Sequence, residues 1–429
     1  MRYKKLFIYI LLSSLGVLLL FYLNRKSTEN HSKNFSNKIP IILWWTSIIP
    51  NYDRSMECGF ASCRFTVDRS LLNNENTKAI AFYGSNLSVT DLPLPRSKDH
   101  LWALYHEESP KNVPFLYSKN IFKHFNITST FSRYSSMPLT VQYLNNYDSL
   151  RTRKYLVPIG EKSKLRNKLA PVVFLQSICD TMSGRNEYVK ELMKYIDVDS
   201  YGKCLNNREM PDSLTNEYLQ TLNTDELYTF LARYKFVISY ENGVCNDYIT
   251  EKFWRPLIIG SIPIYFGSPT IKDWMPNPKS VILIEDYKSP KDLANFLKKL
   301  DKDDIEYNQY LNHKYSQEDP ISNNLLKKTL LEKEYDTSDD IFNSFECFIC
   351  KKIHSYFEAI ATSNHYDCEN GTKYPKMKTE FKEWNSWESI IKSGKCEGDV
   401  LDKFLIRNKP FTEKDFHLEI EKMFIQGQC

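Results

Sequence analysis

Two stretches of this sequence combine residue types that could grip a phosphorylated ligand. Tyr240-Glu241-Asn242 leads through Asp247-Tyr248-Ile249-Thr250 into Glu251-Lys252, bringing together carboxylates, an amide, a hydroxyl and an ammonium. Glu241 or Glu251 could accept from ribose or sugar hydroxyls, while Lys252 could neutralise phosphate charge. Upstream, Ser183-Gly184 leads into Arg185 at the start of a predicted helix. The positive end of a helix dipole and a forked guanidinium both suit a diphosphate. Residue types alone leave another reading of Thr250-Glu251-Lys252, a solvated helix start with its acid in the first turn. Asp197-Val198-Asp199 has the spacing to hold Mg²⁺ or Mn²⁺ beside nucleotide phosphates. Asp301-Lys302-Asp303 reads as a solvated helix end.

Such loops need strands before them and helices behind. In open α/β sheets ligands bind beyond the carboxyl ends of the strands. Val172-Val173-Phe174-Leu175 is a short apolar run suited to a strand buried on both faces. A polar loop through Asp180, Ser183 and Gly184 follows. Residues Arg185 to Ile196 then place Tyr188, Leu192 and Ile196 on one helical stripe, before a strand near Val198. The rhythm repeats: a strand at Phe236–Tyr240, a loop to Asp247, a helix to about Ile259 and a strand at Ile262–Phe266. Lys288 to Leu300 adds a helix with Leu293, Phe296 and Leu300 on one face. Strand, loop, helix, strand predicts a doubly wound parallel sheet over about 165–330. Pro256 falls inside the second helix, so that helix bends or its first turn is a separate loop. Nearer the start, Ile39–Trp45, Ala79–Tyr83 and Trp102–Tyr105 are strand candidates.

The chain has 429 residues, room for roughly two or three domains. Lys and Arg number 57 against 53 Asp and Glu, a net charge of +4 that gives no nucleic-acid footprint. Residues 1–5 form a basic tail, and the apolar run 6–23 is long enough to cross a bilayer. It reads as an uncleaved signal anchor, with a cleaved signal peptide as the alternative. Residues 24–38 suit a polar stem. All ten cysteines lie beyond the run, as do sequons at Asn30, Asn34, Asn86, Asn126 and Asn370. Together these features predict a lumenal chain with disulfides.

The sequence becomes specific around the second loop. Tyr248-Ile249-Thr250-Glu251-Lys252-Phe253-Trp254-Arg255 resembles the donor-site signature of the alpha-1,3-fucosyltransferase family, glycosyltransferase family 10. The flanks Phe-Val-Ile-Ser-Tyr-Glu-Asn and Ile-Pro-Ile-Tyr-Phe-Gly-Ser-Pro resemble it too, as do Tyr195–Gly202 and the pair Cys347/Cys350. The similarity runs from about Ile41 to His354. Leu43-Trp44-Trp45, His106 to Asn112 and Lys252 to Leu257 look closest to a divergent branch, described as protein O-fucosyltransferases acting on cysteine-rich EMI domains.

The resemblance implies an α/β, GT-B architecture: two Rossmann-like domains facing a cleft, here preceded by a single transmembrane helix. The acceptor-side domain would cover 39–164 and the GDP-fucose domain 165–330, with a C-terminal segment at 331–429. It implies GDP-fucose as donor, a protein domain or glycan as acceptor, and membrane attachment through the anchor in the endoplasmic reticulum or Golgi. Glu108 matches the position of the family's base. Its neighbour Glu107 competes, because adjacent strand residues point to opposite faces. Arg185 and Lys252 match phosphate-binding positions, and Glu241 and Glu251 match polar positions around ribose and fucose. Tyr240 replaces a common Phe and keeps a stacking role open; Asn242, Tyr248 and Thr250 complete the donor set. Charge neutralisation by Arg and Lys implies no required metal or other cofactor, which makes Asp197/Asp199 a metal pair only on the competing reading. The family pattern pairs Cys58 and Cys63 with Cys347 and Cys350. Pairings for Cys179, Cys204, Cys245, Cys368, Cys396 and Cys429 stay open.

Overall fold

The computed structural model describes residues 39–215, 223–316, 320–335, 341–355, 359–368 and 385–429. Its two α/β units each rest on their own sheet. The first has the order β2-β3-β1-β4-β5-β6. Its strands are β1 (Ile41–Thr46), β2 (Asp53–Cys58), β3 (Ala61–Thr66), β4 (Thr77–Tyr83), β5 (Leu101–His106) and β6 (Ile127–Thr130). Continuous apolar runs such as Ala79-Ile80-Ala81-Phe82 make β4 and β5 central parallel strands covered on both faces. The exception is β2, antiparallel to β3 at the sheet edge. Its exposed Asp53, Ser55 and Glu57 mark it as an edge strand.

The second sheet is parallel throughout, in the order β8-β7-β9-β10-β11. It comprises β7 (Val172–Gln176), β8 (Val198–Gly202), β9 (Phe236–Tyr240), β10 (Ile262–Phe266) and β11 (Ile282–Leu283). The strand order reverses between β7 and β9. The helices that matter to the site are α1 (Arg185–Leu192), α2 (Glu251–Ile259), α3 (Pro290–Leu300), α4 (Ile341–His354), α5 (Asn385–Arg407) and α6 (Glu413–Ile425).

Two helices differ from their sequence reading. Helix α1 stops at Leu192 although Tyr188, Leu192 and Ile196 are all buried as the stripe requires. Helix α2 begins at Glu251 because Asp247 takes a left-handed φ of 63°, which no helix accommodates. Thr250 caps it, its hydroxyl accepting from the Lys252 amide. Pro256 lies inside and the helix continues to Ile259. The far end is held by side chains: His313 Nε2 lies 3.0 Å from Leu257 O, Lys314 Nζ donates to Ile258 O at 2.6 Å and Lys162 Nζ donates to Gly260 O at 2.7 Å.

Beyond residue 340 the chain returns to the first unit. Cys58 bonds Cys347 and Cys63 bonds Cys350, binding β2 and β3 to α4. Buried Glu346 of α4 accepts from Trp44 Nε1 at 2.8 Å and from the Tyr52 hydroxyl at 2.8 Å. Side chains of α5 and α6, among them Val400, Leu401, Phe404 and Phe416, join the core on one face of the first sheet. The C-terminal segment therefore completes the first unit. The other bonds are Cys179–Cys204, Cys245–Cys368 and Cys396–Cys429.

The expected architecture needs a correction. Among the described residues no helix is long and apolar enough to cross a membrane, and the anchor assigned to 6–23 lies outside them. One sequon expectation also meets an obstacle. Asn86 is exposed, with Nδ2 donating to Ser47 O at 2.9 Å, whereas the Asn126 side chain is held inside the fold: Oδ1 accepts from Trp102 N at 3.0 Å and Nδ2 donates to Ala359 O at 3.1 Å. A glycan on Asn126 Nδ2 would compete with the bond to Ala359 O, and Thr128 of that sequon is wholly buried. Asn30, Asn34 and Asn370 lie outside the described residues.

Candidate active site

A crevice forms where the order of a parallel sheet reverses, outside the carboxyl ends of its strands. Here that point lies between β7 and β9, and their carboxyl ends feed the two loops with phosphate-binding chemistry. A cleft opens there, lined by Ser177, Ile178, Arg185, Glu251, Lys252 and Arg255 among others. Arg185 is almost fully buried, donating to Tyr240 O at 3.1 Å and to Ile178 O at 2.6 Å. Burial pulls its guanidinium down to about 10, with Glu241 opposing, so the cation persists at neutral pH. Arg255, which closes the signature Tyr248–Arg255 but carries no assigned role there, lines the same cleft.

The structure divides the expected donor residues into two groups. Arg185, Asn242, Glu251 and Lys252 line the cleft, while the others stand behind it. Glu241 is completely buried, and its carboxylate accepts from Thr250 N at 2.8 Å and from the Thr250 hydroxyl at 2.8 Å. It orders the start of α2 and has no surface for a sugar. A Cβ at Gly267 would stand 2.6 Å from Glu241 Cγ, so the glycine makes room for that burial. Tyr240 is also turned inward, packed against Phe266 and Tyr188, with its hydroxyl donating to Ser183 O at 2.8 Å. Its ring supports the first loop and stacks on no ligand. Buried Tyr248 donates to Asn242 Oδ1 at 3.0 Å.

Lys252 serves both acids, at 3.1 Å from Glu251 Oε1 and 3.6 Å from Glu241 Oε2. Burial raises the Glu251 carboxyl, but Lys252, Arg255 and Thr250 together outweigh it and hold it at about 2. Burial raises Glu241 as well, and the Lys252 charge opposes the rise. Glu251 is thus a fixed anion beside two cations, able to accept from a hydroxyl, and Lys252 and Arg255 line the same cleft with charges that suit a phosphate.

Glu107 and Glu108 stand at the carboxyl end of β5 in the other unit. Glu108 is exposed, and its Oε2 accepts from Asn112 Nδ2 at 3.2 Å. Glu107 is partly buried; the Tyr83 hydroxyl donates to its Oε1 at 3.4 Å, and its Oε2 has no hydrogen-bond partner among the described residues. Burial lifts its carboxyl to about 7, and the Glu108 charge adds to the rise. Tyr143, also missed from sequence, lies between the two halves. Its phenol is pushed far up, by burial first and then by Glu251, Glu107, Glu108 and Glu241. Ser109, the residue after Glu108, donates to Oδ1 of the cleft-lining Asn242 at 2.8 Å, which fixes the loop of Glu107 and Glu108 against the donor loop.

The head of the second loop does different work. Asp247 accepts from Arg133 Nη2 at 2.6 Å, Thr270 Oγ1 at 2.7 Å and Trp274 Nε1 at 2.9 Å. Arg133 follows β6, so this buried pair ties one unit to the other. The competing metal pair is likewise structural at Asp199, which accepts from Arg208 Nε at 2.9 Å, the Tyr234 hydroxyl at 2.9 Å and Ala170 N at 3.1 Å. It sits at the amino end of β8, the edge of the sheet opposite the cleft.

Lys252→Ala would leave Glu241 and Glu251 without their shared cation. The expected outcome is a fall of about 100-fold in kcat/KM for an anionic donor, read by initial rates at varied donor concentration. A change below threefold would show that Lys252 faces no developing charge.

Comparison with known proteins agrees with this division. Residues 37–143 match the model for the fucosyltransferase N-terminal domain, and 164–365 match that for the C-terminal domain of glycosyltransferase family 10 (fucosyltransferase). The chain is 42% identical over 423 residues to alpha-(1,3)-fucosyltransferase B of Drosophila melanogaster, covering 96% of this chain and 95% of that one. It is 40% identical over 395 residues to human GDP-fucose protein O-fucosyltransferase 3, covering 88% and 82%. A crystal structure of alpha1,3-fucosyltransferase with GDP aligns at 20% identity over 75% of this chain and 92% of that chain, with a TM-score of 0.41. The extent of the two near-full-length matches decides the identity: this chain belongs to glycosyltransferase family 10, the fucosyltransferases, and is an enzyme of that family.

Proposed function

We propose that this fucosyltransferase moves L-fucose from GDP-β-L-fucose to a serine or threonine hydroxyl of a folded, cysteine-rich protein domain of the EMI type. The observation that carries the reading is the attachment of the Glu107-Glu108-Ser109 loop of one unit, through Ser109 Oγ to Asn242 Oδ1 at 2.8 Å, to the cleft that Arg185, Glu251, Lys252 and Arg255 line on the other. The acceptor oxygen attacks the fucose anomeric carbon from the face opposite GDP while Glu108 takes its proton. The bond from that carbon to the phosphate oxygen breaks, and GDP leaves with the electron pair. Arg185, Lys252 and Arg255 stabilise the departing charge. The anomeric configuration inverts, and an oxocarbenium-like transition state is expected. These cations do the work a divalent ion does elsewhere, so the reaction needs no metal.

The protein acceptor is supported by the match to a relative named as a protein O-fucosyltransferase. A second reading, alpha-1,3-fucosylation of N-acetylglucosamine on glycans, is favoured by the name of the Drosophila relative. The disulfides support an oxidising compartment, the lumen of the endoplasmic reticulum or Golgi. Purified protein given GDP-fucose should label an oxidised, folded EMI domain and leave its reduced form and N-acetyllactosamine unlabelled, with the same rate in EDTA. Labelling of N-acetyllactosamine alone would reverse the acceptor assignment, and loss of rate in EDTA would refute metal independence.

A further inference from the structure

The loop that carries Glu107 and Glu108 is fastened to the donor unit residue by residue. Ser109 Oγ donates to Asn242 Oδ1 at 2.8 Å. Pro110 lies against Gly243, where an added Cβ would stand 3.4 Å from its Cγ. Lys111 Nζ donates to Asp180 O at 3.2 Å on the loop before Arg185. The last contact comes from the C-terminal helices. Trp387, in the first turn of α5, donates from Nε1 to Asp180 Oδ1 at 2.7 Å, and Lys111 Nζ lies 5.5 Å from the centre of its ring.

The body of α5 belongs to the other unit. Gly394 and Gly398 lie on one face of the helix, where a Cβ would come within 2.4 Å of the Pro114 backbone and 2.5 Å of Phe115 O. The helix therefore rests directly on 114–118, the continuation of the Glu107–Asn112 loop. Just upstream, Asp367 O accepts from Asn246 N at 2.9 Å, and Cys368 is bonded to Cys245 in the donor loop. The C-terminal region thus holds the acceptor unit along α5 and reaches the donor unit at Cys245/Asn246 and at Asp180. The family model ends at residue 365, before α5.

We infer that α5 is a strut that fixes the acceptor-side carboxylates against the donor loops, with Trp387 as the positioning residue at its tip. Its catalytic effect rests on the fucosyl-transfer reading; its mechanical effect does not. Removing the tip takes one partner each from Lys111 and Asp180 and lets the base loop shift relative to the donor, while Arg185, Glu251 and Lys252 keep their own partners. Misplacement by about an ångström can cost up to about 100-fold in rate.

The test compares Trp387→Ala and Trp387→Phe with the parent protein for kcat, affinity for GDP alone, thermal midpoint and amide hydrogen exchange. Trp387→Ala should lower kcat by about tenfold with GDP affinity within twofold, and should speed exchange in 107–118 and 177–184 but not in β9 or β10. Trp387→Phe, which keeps the ring over Lys111 and loses the N–H, should fall between. An unchanged kcat and exchange pattern would overturn the strut, as would GDP affinity falling in step with kcat. Faster exchange throughout both sheets in both variants would overturn it too, by reducing Trp387 to a general stabiliser. If the parent transfers no fucose, the transfer reading fails and the exchange comparison alone judges the strut.

Discussion

Glu108→Gln is expected to lower kcat for fucosyl transfer by about 10²- to 10⁴-fold with the donor KM nearly unchanged, the range for removal of a positioned general base. Exposed Glu108 can meet an acceptor hydroxyl, and Asn112 holds its carboxylate. Glu107→Gln should behave differently. Burial and the neighbouring Glu108 raise the Glu107 carboxyl to about 7, so it is protonated at pH 6 and ionised at pH 8. Ionisation places a second negative charge beside the reacting centre, where it favours the oxocarbenium-like transition state, so the parent's kcat should rise as pH climbs through about 7. In Glu107→Gln that rise should vanish while most of the rate at pH 6 remains. A deep loss in Glu107→Gln, with Glu108→Gln still active, would exchange the two roles.

That distinction could not be drawn from sequence, where two adjacent glutamates before Ser-Pro look alike. It depends on Tyr83 and on the depth of the carboxylate, both set by tertiary packing. The elements beneath the donor loops were far more legible. Val172–Leu175 and Ile262–Phe266 are apolar throughout and Phe236–Tyr240 is apolar but for Ser239, as a parallel strand covered on both faces requires, and all three are central strands in the structure. Side-chain direction was harder to read. Tyr240 closes a strand and Glu241 opens a polar-looking loop, yet both side chains are wholly buried, because their partners Ser183 and Thr250 are brought in by the fold. The reach of α5 was invisible too, since nothing local in Trp387 points to Asp180, 207 residues earlier.

Asp247→Ala is expected to be the most damaging substitution for stability, lowering it by about 3–5 kcal/mol as for a broken buried ion pair. Local sequence suggests nothing of this kind, because Arg133 lies 114 positions away. The carboxylate is buried and accepts from the Arg133 amide and guanidinium, from Thr270 and from Trp274. Removing it leaves the Arg133 charge, a hydroxyl and an indole N–H without their acceptor. Burial alone would raise the Asp247 carboxyl, but Arg133, Thr270 and Trp274 together hold it below the usual range. The stabilisation is therefore fully present above the unfolded pKa, about 4, and is lost as pH falls through the lower folded value. Urea midpoints across pH should show that acid-side loss in the parent and its absence in Asp247→Ala. Asp247→Asn keeps the shape without the charge and should be intermediate. If Asp247→Ala unfolds within 1 kcal/mol of the parent, the pair is a passive contact. A full loss ties the two halves of the site to one bond: Arg133 follows β6 of the acceptor unit, and Asp247 opens the turn that delivers Thr250, Glu251 and Lys252 to the cleft.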